Sequence, residues 1–132
     1  MSEFREGAEF ILDVELTESM VADFVRLSGD SAPLHTNASF ARSKGFEGTL
    51  VHGALLLSLV SRFVGVHFPG PESLWLRVDA RFHAPAYAPD TFTIRGRIIQ
   101  ISEAASSLAV DISVTDGKQL TVLAAKSFHK LL

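Results

Sequence analysis

The sequence predicts an α+β domain in which an antiparallel sheet wraps around one long helix. Two observations carry that expectation. Residues 52–68, HGALLLSLVSRFVGVHF, have no clean polar face, as expected of a helix buried on nearly all sides. From residue 73 onward apolar and polar residues alternate with a period of two, through four segments joined by short turns. The length supports both, because 132 residues with 47% hydrophobic and 20% charged side chains suffice for one domain. A single domain over residues 1–132 buries roughly two thirds of its unfolded surface.

The elements follow in order. Residues 10–16 alternate apolar and acidic side chains and read as a first strand. Thr17 is a helix N-cap with Glu18 in the first turn, and Met20, Val21, Phe24 and Leu27 share one face at helical spacing. Gly29 stops this helix. Asn37 caps a short helix through Arg42 and Ser43, which Gly45 ends, and residues 46–51 connect to the long helix. Pro69-Gly70-Pro71 terminates that helix. Residues 74–82, 91–101, 107–115 and 120–128 read as strands. The turns between them hold Pro85 with Pro89-Asp90, residues 102–105, and Asp116-Gly117. Five strands and one buried helix require the sheet to curl over the helix, with its other face left to solvent or a second subunit. That architecture is a hot-dog fold.

Composition narrows the function. The 12 basic and 15 acidic side chains give a net charge of -3 and are spread over the whole length, so no basic run suggests nucleic acid as a partner. The absence of cysteine excludes disulfides, thiolate metal sites and a Cys nucleophile. A mean hydropathy of +0.24 is high for a small monomer and points to self-association. The N-terminal MSEFREGAEF lacks the basic and apolar regions of a signal peptide. The longest apolar run, 54–68, is interrupted by Ser58, Ser61, Arg62 and His67, too polar to span a bilayer. A cytoplasmic protein with no membrane partner is the expectation.

The chemistry concentrates in residues 24–41, FVRLSGDSAPLHTNASFA. Asp30 and His35 lie five residues apart around Pro33, on a short stiff connection. A carboxylate and an imidazole so placed can share one water, taking a proton from it and returning one. Taken alone, Asp30 after Ser-Gly also suits a turn, and His35 a packed loop. His52-Gly53 opens the long helix, with His52 as an N-cap or hydrogen-bonding residue at its start. Its glycine N–H suits a developing negative charge, or the glycine serves close packing. Ser61 on that helix either bonds its own backbone or reaches a neighbouring loop. A metal site at His35 and His52 has neither local ligand spacing nor a third ligand in view.

Residues 24–41 resemble the hydratase signature of the MaoC-like dehydratases, which include the (R)-specific enoyl-CoA hydratases. Phe24, Ser28-Gly29-Asp30, Pro33-Leu34-His35 and Ala41 fit its pattern, and the resemblance continues through Phe40-Ala41, Phe46, Val51-His52-Gly53, Ser61, Pro69-Gly70 and the strand ending at Phe82. It implies Asp30 and His35 as the catalytic pair holding the water that adds across a trans-2-enoyl thioester. It also implies Gly53 as the oxyanion donor, Ser61 as a support that hydrogen-bonds the Asp30 loop, and a dimer with continuous sheet. No metal or redox cofactor is implied; a coenzyme A or acyl-carrier thioester belongs to the substrate. Two positions depart from the pattern, with Ala32 where the family has Asn, and Val78 where several hydratases have Gln. Alternatives are a hot-dog thioesterase, attacking the carbonyl carbon, and a non-catalytic acyl-thioester binding module.

Overall fold

The computed structural model describes residues 4–132. Strand β1 (Glu9–Leu16) leads into α1 (Glu18–Ser28), two short helices α2 (Pro33–Thr36) and α3 (Ala38–Ser43), and the central helix α4 (Gly53–Arg62). A π-helical turn, Phe63–His67, extends α4. Strands β2 (Ser73–Phe82), β3 (Asp90–Ser102), β4 (Ser107–Thr115) and β5 (Thr121–Leu131) complete the domain. They form one five-stranded sheet in the order β1-β3-β4-β5-β2, with every neighbouring pair antiparallel. This is the expected hot-dog arrangement, an open sheet on a helix. The sheet has two edges, β1 and β2.

Local chemistry accounts for the early elements. Val14 and Leu16 turn into the core while Asp13 and Glu15 stay outside. Thr17 Oγ1 accepts from Met20 N–H, satisfying one of the orphan donors of α1, and Gly29 closes the helix with φ 74°. Asn37 Oδ1 likewise accepts from Phe40 N–H at the start of α3.

The core lies between α4 and the sheet. Leu55, Leu56, Leu59, Val60, Phe63 and Val64 meet Phe92, Ile94 and Ile98 of β3 and Val110, Ile112 and Val114 of β4. Burying each such side chain stabilises the fold by about 1.5–3 kcal/mol. Two details differ from expectation. The helix buries one face only, because Ala54, Ser58, Ser61 and Arg62 face solvent on the side that no sheet covers. Its last stretch is also wider than an α-helix, with Phe68 N–H bonded to Phe63 C=O five residues back. That turn sets Phe63 and Phe68 over Gly96 of β3, where an added Cβ would lie 2.6 Å from the Phe63 ring. No other residue leaves room for both rings. Leu56, Val60 and Phe63 are thereby committed to the core, while Leu57 is half-buried.

Candidate active site

The site forms where the loop after α1 meets the start of α4. Ser28 Oγ donates to Phe24 C=O at 2.7 Å and accepts from Asp30 N–H at 3.0 Å, so the last turn of α1 braces the aspartate's backbone. Asp30 Oδ1 in turn accepts from Ala32 N–H at 3.2 Å. The short helix α2 begins at Pro33, whose missing N–H costs nothing in a first turn. Leu50 N–H donates to Leu34 C=O at 2.9 Å, and His35 Nδ1–H donates to Leu50 C=O at 2.7 Å. The carbonyl acceptor fixes the tautomer of neutral His35, leaving the Nε2 lone pair free to take a proton.

His52 completes the cluster. It occupies the N-cap position of α4, but its imidazole makes no capping bond. Its Nε2–H instead donates to the backbone C=O of Asp30 at 3.0 Å. Its ring stacks on His35 with centroids 3.8 Å apart and planes 20° apart, and touches the Phe24 ring at 4.9 Å. His52 is 1% exposed, whereas Asp30 is open to solvent and His35 half-buried. One ligand-type atom each from Asp30, His35 and His52 lies within 4.8 Å of the others. Asp30 is thus the third donor that the sequence did not bring beside the two histidines. As a metal set the three fit poorly. His35 Nδ1–H and His52 Nε2–H are committed to carbonyls, and two imidazoles stacked face to face are not the arrangement of two ligands converging on a tetrahedral ion.

Gly53 begins α4. The N–H groups of Leu55 and Leu56 both go to His52 C=O, and Gly53 N–H makes no hydrogen bond among the described residues. It is one of the orphan donors at the positive end of the helix dipole. A Cβ on Gly53 would sit 2.9 Å from the ring of Phe82, which closes over it from the end of β2 although 55% exposed. A cleft of about 450 Å³ approaches His35 between α1 and the connector, past Val21, Val25, Thr49 and Val51.

Asp30, His35 and Gly53 therefore stand near one another, with His52 touching the loop and leading into Gly53. Ser61 is not part of this arrangement within one subunit. It is exposed, eight residues along α4 from Gly53, a rise of about 12 Å. It makes no hydrogen bond to the loop among the described residues, and Ser28 and His52 brace Asp30 in its stead. Within one subunit the loop support expected of Ser61 is therefore not seen. The contacts of His52 and Phe82 were not legible in sequence: Asp30 and His52 are 22 positions apart, and only the His52-Gly53 pair marked the place.

The family model of the MaoC like domain matches residues 2–118. The (R)-specific enoyl-CoA hydratase of Aeromonas caviae is 37% identical over 83 residues, 63% of this chain and 62% of that protein. The (R)-specific enoyl-CoA hydratase of Rhodospirillum rubrum is 31% identical over 91 residues, 69% of this chain and 63% of that protein. The match thus spans less than two thirds of the length of these curated relatives. The solved structure of the (R)-hydratase from A. caviae involved in PHA biosynthesis superimposes with a TM-score of 0.93 at 26% identity, covering all of both proteins.

Proposed function

The chain belongs to the MaoC-like dehydratase family, and from that premise we propose that it is an (R)-specific enoyl-CoA hydratase. It adds water across a trans-2-enoyl thioester and, in reverse, dehydrates the 3-hydroxyacyl thioester. The observation that carries this reading is a free imidazole nitrogen and a carboxylate clustered on one braced loop beside the start of a helix. One water is held by Asp30, which accepts one of its hydrogens, and by His35 Nε2, which takes the other as a proton while the oxygen bonds the β-carbon. The π-electrons move onto the thioester oxygen, and Gly53 N–H stabilises that charge. His35 then returns its proton to the α-carbon, leaving hydroxyl and hydrogen added and the enzyme unchanged. These groups account for the chemistry with no metal or redox cofactor.

A homodimer and a cytoplasmic location belong to the same proposal. The open edge of β2 and the uncovered face of α4 support the first. Among the described residues no helix is long and apolar enough to cross a membrane. The test follows loss of the conjugated enoyl absorbance and release of thiol in one tube, with short, medium and long trans-2-enoyl-CoAs. Absorbance loss without thiol is the expected result. Thiol release indicates a thioesterase, and saturable binding with neither indicates a binding module.

A further inference from the structure

We propose that His52 is a positioning residue that sets both members of the Asp30–His35 pair from beneath, an inference that rests on the hydratase reading. Its two contacts do different work. The Nε2–H bond to Asp30 C=O, 3.0 Å long, holds the backbone from which the carboxylate projects. The stacked ring, 3.8 Å from that of His35, limits rotation about the last side-chain torsion of His35 and so aims its Nε2. The bond from His35 Nδ1 to Leu50 C=O fixes one end of that ring, and the stack fixes its plane. Phe24 packs against His52 in turn, so the aromatic that opens the loop signature supports the residue that orders the site. Because His52 is the residue before Gly53, one side chain also ties the loop to the donor N–H at the start of α4. Buried at 1% exposure, it acts on the reaction only through the groups it holds.

Two variants divide the two contacts. His52→Gln places an amide N–H near the position of Nε2 but removes the ring, and His52→Phe keeps the ring but removes the donor. His52→Ala removes both. A misplacement of about 1 Å at reacting groups costs on the order of 100-fold in rate. His52→Ala is therefore expected to lower kcat by about 30- to 100-fold with KM changed less than about threefold, and each of the other two to recover part of the loss. The second measurement is independent of turnover. Side-chain 15N relaxation is expected to show a rigid His35 ring in the wild type and a more mobile one in His52→Ala, with the bond to Leu50 C=O keeping the Nδ1–H tautomer in both. A folded His52→Ala protein with kcat within about threefold of wild type overturns the proposal. So does a loss confined to KM, or an unchanged mobility of the His35 ring. If His52→Ala does not fold, the comparison rests on the Gln and Phe variants, and wild-type kcat in both refutes it. An inactive wild type with a His35 ring mobility that still responds to His52 would sink the hydratase reading alone.

Discussion

The buried pair Ser127 and His129 on β5 makes acid sensitivity a measurable property of this fold. Both side chains point into the core, 0% and 1% exposed, and Ser127 Oγ contacts His129 Nε2. His129 Nδ1 and the neighbouring Trp75 Nε1 have no hydrogen-bond partner among the described residues. Burial removes the imidazolium from water, and it lowers the His129 pKa from 6.5 to about 4. As pH falls, the unfolded protein therefore takes up this proton first, so stability drops between pH 6.5 and about 4 and changes no further from this cause below it. With those two values the loss between pH 7 and pH 5 is about 2 kcal/mol. Urea unfolding of wild type and His129→Gln, at one fixed protein concentration and at both pH values, isolates the effect, because every other titrating group is common to both proteins. The wild type is expected to lose about 2 kcal/mol more than the variant on acidification. Parallel losses, within about 0.5 kcal/mol, would refute the argument and mean that His129 is protonated in the folded state.

Other expectations concern the site. Asp30→Asn and His35→Ala should each reduce enoyl-CoA hydration by about 10³-fold or more without unfolding, and the double variant should be little worse because both groups act on one water; retention of most activity by either folded single variant would remove it from the pair. Gly53→Val should slow the reaction by crowding the thioester oxygen at the Gly53 N–H, whereas a glycine that only makes room for the Phe82 ring would lower the melting temperature and leave the rate per folded molecule unchanged. Ala32 is exposed, its N–H held by Asp30 Oδ1, so Ala32→Asn should fit and leave hydration unchanged or raise it by up to about tenfold. A large loss there would mean that the alanine makes room for part of the acyl group. Light scattering should report a species larger than 14.3 kDa at micromolar concentration, and a monomer would contradict the dimer.

Local chemistry by itself determined much of this protein. The period-two segments became β2 through β5 with ends shifted by three residues at most, because side-chain alternation is a property of each strand alone. Thr17, Gly29 and Asn37 cap and stop helices where their own backbone and side-chain preferences place them. Asp30 and His35 were legible as a pair because the residues between them form one stiff loop. What the sequence could not reveal depends on distance in space between residues far apart along it. The widened turn after α4 answers to Gly96 on β3, and the one-sided burial of α4 to the extent of the sheet. Ser61 faces solvent eight residues along α4 from Gly53, and within one subunit it makes no hydrogen bond to the loop among the described residues. His52 looked like a helix cap until the fold brought Asp30 C=O and the His35 ring against it. Periodicity and capping act over a few residues and are written in order from one end to the other; contacts between loop and helix exist only once the sheet has fixed where each begins.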